Sequence, residues 1–86
     1  MANHASALKR ARQIEKRSMR NKAYRTRVRS VVKQVRQAIA AGDADAAQTA
    51  LNQAVPIIDK AAGKGIYHRK NAARKISRLS RQVSAL

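Results

Sequence analysis

Four carboxylates and two imidazoles are all that this 86-residue chain offers for acid–base or metal chemistry, and they are poorly placed for either. His4 and His68 stand 64 positions apart with no cysteine between or beside them, which leaves a metal too few ligands. Glu15, Asp43, Asp45 and Asp59 form no acid–base pair, and Asp43 follows a glycine where a helix N-cap is wanted. Ser, Thr and Asn occur without a base and an orienting acid. The expectation is no enzyme, no cofactor and no metal.

The abundant chemistry is cationic. Twenty Lys and Arg face four Asp and Glu, a formal charge of +16, with a pI near 11.9. That excess is far beyond what solubility asks of a small domain. It opposes compaction. A polyanion relieves it, since each phosphate neutralised by Lys or Arg releases condensed counterions. Arg outnumbers Lys, which favours forked phosphate contacts over bare point charges. The charge is also partitioned: residues 1–36 carry 12 bases and 1 acid, 37–59 carry 3 acids and no base, and 60–86 carry 8 bases and no acid.

Spacing shows how these cations would be presented. In the closing stretch "HRKNAARKISRLSRQVSAL", Ala72, Ile76, Leu79, Val83 and Leu86 recur every three or four residues, the mark of one helix face. Lys70, Arg74, Arg78 and Arg81 fall on the opposite side, with Arg69 and Lys75 adding charge and no acid anywhere in the stretch. Earlier, Lys22, Arg25, Arg29, Lys33 and Arg36 form a second ridge beside an apolar stripe of Tyr24, Val28, Val31, Val32, Val35, Ala38 and Ile39. A merely solvated helix face would intersperse Glu and Asp as i,i+4 partners. Only Glu15 does so in the two basic segments.

Elements follow from the breakers. Gly42 and Asp43 mark one turn, Gly63 and Gly65 a second, and no apolar run alternates with period two, so three helices and no strands are expected. The first helix should run from about Ser6 to Ala41. The second offers Ala47, Ala50, Leu51, Ala54, Ile57, Ile58 and Ala61 to the core, with Pro56 either kinking it or starting a separate short helix. The third should begin near Tyr67 or His68. The fold class is an all-α three-helix bundle with a long, protruding N-terminal helix: residues 1–22 a basic extension carrying Lys9, Arg10, Arg12, Lys16, Arg17, Arg20 and Lys22, and residues 23–86 the bundle. Nothing in the chain can cover the extension, which is expected to be poorly ordered until a partner binds.

The partner class narrows by elimination. No stretch has the roughly 18 apolar residues of a membrane span, nor a signal peptide, so a cytoplasmic location is expected. A membrane-active helix would want Trp, Phe or abundant Leu on its apolar faces, and the chain has no Trp or Phe. Tyr24 and Tyr67 adjoin apolar stripes and read as packing residues rather than stacking platforms for single strands. Folded, helical nucleic acid gripped by its backbone fits best. A nucleoid-type, DNA-compacting protein is the alternative, although such proteins call for dimers or minor-groove wedges.

"MANHASALKRARQIEKR" at the start, "DKAAGKGIYHRKNAARK" at 59–75 and "SRLSRQ" at 77–82 resemble the bacterial family of small-ribosomal-subunit protein number twenty, over nearly the whole chain. The resemblance implies a three-helix bundle with a long first helix, acting as a structural constituent that binds small-subunit ribosomal RNA directly, supports assembly and bridges RNA segments. It implies a monomer within the ribosome, among other ribosomal proteins, with no membrane or small-molecule partner. It also implies that Lys9, Arg10, Lys16, Arg17, His68, Lys70, Asn71, Arg74, Lys75, Ser77 and Arg78 lie at or near RNA. Ile76 stands where relatives often carry a base, and the stripe turns it toward the core. In competition binding at equal salt, structured ribosomal RNA should displace duplex DNA from this chain; preference for DNA would favour the nucleoid alternative.

Overall fold

In the computed structural model, which describes residues 2–86 and the side chains from His4 onward, three helices follow one another: α1 (Ala2–Ala40), α2 (Ala44–Gly63) and α3 (Arg69–Ser84). At 1.5 Å per residue α1 is about 58 Å long, against about 30 Å for α2 and about 24 Å for α3. The molecule measures 63 × 21 × 14 Å, so α1 sets its length.

The two turns are built alike. Gly42 at φ +71° and Gly65 at φ +75° each take the left-handed conformation just past a helix end, which costs an ordinary side chain about 1–2 kcal/mol. After α1, the N–H of Gly42 donates to the Ile39 carbonyl at 3.0 Å and that of Asp43 to the Ala38 carbonyl at 3.2 Å. After α2, the N–H of Gly65 donates to Ala62 and that of Ile66 to Ala61, both at 3.0 Å. These bonds satisfy carbonyls that each helix end would otherwise leave orphaned. Asp43 serves both sides of its turn, since its Oδ1 also accepts from the Ala46 N–H at 3.0 Å and caps α2.

Packing centres on α2. Its buried Ala47, Leu51, Ala54, Ile58 and Ala61 meet Val28, Val31 and Val35 of α1 and Ala72, Leu79 and Val83 of α3. The small alanines let the backbones approach. Pro56 lies within one continuous helix, on its exposed side, so the separate-helix option falls.

Two features of the core differ from expectation. Leu86 is 45% exposed, because α3 stops at Ser84 and the last residues leave the helical phase that would have turned it inward. Ile66, in the turn, is buried against Ala61, the apolar contact that commonly accompanies this kind of helix stop. Helix α1 also starts earlier than Ser6, at Ala2.

Residues 4–20 of α1 are exposed throughout; Asn21 and Tyr24 are the first half-buried positions. The reason lies in helical phase. At about 100° per residue, Arg10 and Arg17 fall on the line that Val28, Val31 and Val35 occupy further on, so the apolar stripe gives way to guanidinium groups. The segment expected to be poorly ordered by itself is helical, sustained by its own backbone hydrogen bonds. An uncovered helix of this length is marginal in water.

Three measurements follow. Ile58→Ala, at a position with no exposed surface, should cost at least about 2 kcal/mol, whereas Ile14→Ala, 60% exposed, should leave the thermal midpoint unmoved. A Cβ at Gly42 would meet nothing within 4 Å, so Gly42→Ala should cost only the conformational penalty, about 1 kcal/mol, lowering the midpoint by roughly 5 °C. In the free protein, amide exchange should be fast over 4–20 and slow from about residue 28; protection of the whole of α1 would contradict this account.

Candidate nucleic-acid interface

The basic helices do not pack closely on each other; both lean on α2, and a groove opens between them. Val28, Val32 and Ala40 of α1, with Tyr67 from the start of the α3 segment, supply its apolar walls, while Arg29, Lys33, Arg36 and Lys75 supply its cations. This part encloses about 630 Å³. A second part of about 380 Å³ continues it between Arg36 and the α3 residues Asn71, Arg74, Lys75, Arg78, Leu79 and Gln82. Arg36 and Lys75 border both parts. Arg29, Lys33 and Arg36 of the α1 ridge and Arg74 and Arg78 of the α3 ridge, read separately in the sequence, therefore face one trough, while Lys22, Arg25, Lys70 and Arg81 lie outside its lining.

On α3, Lys70, Arg74, Arg78 and Arg81 are all exposed, as the helical phase requires. Lys75 lies nearer the core, half-buried, with its Nζ 5.5 Å from the Tyr67 ring centroid. Tyr67 itself packs against the core. Tyr24 makes the matching arrangement with Lys64, at 5.3 Å. Such cation–π contacts hold an ammonium that has no anion to meet.

Not every expected residue joins the trough. His68 is the N-cap of α3, its Nδ1 accepting from the Lys70 N–H at 3.2 Å, which occupies one ring nitrogen with the backbone. By helical phase Arg69 and Ser77 sit on the flank of α3 away from the trough; both are exposed.

Helix α1 carries a further ridge. Lys9, Arg12, Lys16, Arg20 and Arg27 lie within about 80° of arc, centred about 140° around the helix from Lys22, Arg25, Arg29, Lys33 and Arg36. All ten are exposed. Arg17, on the line of the core stripe, and Arg25 border a shallow hollow with Ile14, Ser18 and Asn21. The same spacing in the sequence marks this ridge, Arg27 included. The trough is different, because it exists only once α1 and α3 are both docked on α2.

The middle of the chain is the electrostatic complement. Asp43, Asp45 and Asp59 are exposed on and beside α2, and Gln48 Nε2 donates to Asn52 Oδ1 at 3.0 Å on the same helix. No group of acids and histidines among the described residues is arranged to hold a metal ion, and no helix among them is long and apolar enough to cross a membrane.

A small all-α chain with bare cationic ridges and one acidic flank belongs to the class of non-catalytic, polyanion-gripping proteins. Comparison with known proteins gives the particular family: the model of ribosomal protein S20 matches residues 2–84, and the chain belongs to that family. The chain is 55% identical over 85 residues to small ribosomal subunit protein bS20 of Syntrophus aciditrophicus (strain SB), covering 99% of this chain and 96% of the relative. Against the protein of the same name in Nitratidesulfovibrio vulgaris (strain DSM 19637 / Miyazaki F) it is 54% identical, covering 100% of this chain and 99% of that one. The figure for Geotalea daltonii (strain DSM 22248 / JCM 15807 / FRC-32) is 52% over the same shares. The chain is a structural protein of the small ribosomal subunit, not an enzyme, and works among ribosomal RNA and other ribosomal proteins. The DNA-compacting alternative finds no support in these relatives.

The cap at His68 gives a direct test of structural against contact roles. His68→Asn keeps a strong N-cap and should hold or raise the thermal midpoint, while His68→Ala should cost about 1 kcal/mol. If both variants bind RNA like the parent, the imidazole serves α3 alone.

Proposed function

We propose that this chain binds small-subunit ribosomal RNA by gripping phosphates along three cationic ridges, as a monomer within the ribosome, and that it steadies assembly by tying RNA segments together. The bundle, residues 23–86, presents Arg25, Arg29 and Lys33 from α1, continuing from Lys22 at the end of the extension, together with Arg74, Lys75 and Arg78 across the trough and Lys70 and Arg81 on the exposed face of α3 beside it. The extension, residues 1–22, carries Lys9, Arg12, Lys16 and Arg20 on the other flank of α1, with Arg10 and Arg17 taking the place of the core stripe. Arg69, Asn71 and Ser77 lie beside these contacts, and His68 acts chiefly through the helix it caps. Helix α2 faces away from the RNA.

The observation that carries this reading is the arrangement of opposed ridges on α1. Cations on one flank along the extension and on another along the bundle edge suit two backbones; a single backbone following one flank would leave the other set unneutralised. Their bareness has a physical use, since an exposed guanidinium keeps all its donors for phosphate.

The test is the salt dependence of RNA affinity. Each phosphate contact contributes about 0.9 to the slope of log affinity against log salt on a duplex. Arg74→Ala with Arg78→Ala should therefore flatten the slope by nearly 2. Lys16→Ala with Arg20→Ala should do the same from the other flank, and the two pairs should add. Asp45→Asn, on the acidic side, should leave the slope alone. Unchanged slopes in both double variants would defeat the proposal.

A further inference from the structure

The trough between α1 and α3 has a property that phosphate gripping leaves without a use: its floor is apolar. A row of phosphates is served by cations on convex ridges, as on α3 and on the extension. Here the half-buried Val32 and Tyr67 ring, backed by the buried Val28, lie between the cations in an open space of about 630 Å³. That falls within the roughly 300–1,000 Å³ typical of pockets that take small organic groups. An apolar strip of Val32 and Tyr67 bordered by Arg29, Lys33, Arg36 and Lys75 offers both a surface for a base and cations for its phosphate, the two needs of a single nucleotide.

We infer that the trough receives one unstacked nucleotide of the RNA, its base against Val32 and Tyr67 and its phosphate between Arg36 and Lys75. The inference rests on the RNA-binding reading above and adds to it a base where that reading needs only backbone. Charge complementarity selects the occupant. An apolar protein side chain or a lipid tail would fill the floor but leave the rim cations unmatched, whereas a nucleotide answers both.

Lys75 is the moving part. Without an anion its ammonium rests over the Tyr67 ring, 5.5 Å from the centroid. A phosphate beside Arg36 offers it a stronger partner. As it swings toward that phosphate it uncovers the ring, and a base can take the place it leaves. The aromatic face thus becomes free when the backbone arrives.

Three RNA hairpins of the same stem test this: one fully paired, one with a single unpaired adenosine, and one with an abasic residue in the adenosine's place. Extrusion is cheapest for a base that is already unpaired, and a base stacked on an aromatic ring typically strengthens binding about tenfold or more. The adenosine hairpin should therefore bind about tenfold more tightly than the other two. It alone should shift the Val28 and Val32 methyl and Tyr67 ring resonances in NMR spectra of the whole chain. Tyr67→Leu should erase the preference; the wild-type comparison decides the matter if that variant does not fold. Equal, salt-dependent binding of all three hairpins would overturn the nucleotide site while sparing the phosphate ridges. Absence of salt-dependent binding to any of them would overturn both.

Discussion

The structure depends on keeping like charges out of its seams. Two guanidinium groups 10 Å apart in water repel by about 0.4 kcal/mol, a small amount singly but a persistent one across +16. The stretch from residue 37 to residue 59 has no basic residue, and most of α2 is drawn from it. That helix is the neutral-to-acidic partner against which both cationic helices bury their apolar stripes. Val28, Val35 and Ile58 lie fully inside, with Ala47, Ala54 and Ala61 set between the helices. If α1 and α3 packed directly, their ridges would converge without relief. Instead they meet along a short stretch while each leans mainly on α2, and the trough is the space left over.

That constraint explains why the bundle ends where it does. Wherever α1 offers valine, α2 and α3 have something to bury; wherever the same phase offers Arg10 and Arg17, nothing in the chain can lie against it. The long bare rod needs no separate device. It is what remains of α1 once the apolar stripe stops, and it places Lys9, Arg12, Lys16 and Arg20 well away from the cations of the trough.

Much of this was legible in the sequence, for local reasons. Helix stops read correctly because Gly42, Asp43 and Gly65 act through their own backbone and nearest neighbours, and the core stripes read correctly because helical phase is a local periodicity. The same logic failed where locality fails. Leu86 keeps the phase of α3 on paper but lies past its last turn, and Ile66 carries no periodic signal because it packs from a turn. His68 was legible as a residue near a helix start, while its capping bond to the Lys70 N–H needed coordinates. The trough was invisible for a deeper reason: Val32, Arg36, Tyr67 and Lys75 come together only when both helices dock on α2, a placement that no spacing within one helix encodes.

The acidic flank of α2 has a kinetic consequence. A body with cations along two helices and carboxylates at Asp43, Asp45 and Asp59 on the third is an electric dipole as well as a net charge. In the gradient around a polyanion it experiences a torque as well as a pull. It therefore turns its carboxylates outward during approach, so that many collisions begin in the right attitude and little rotational search remains at the surface.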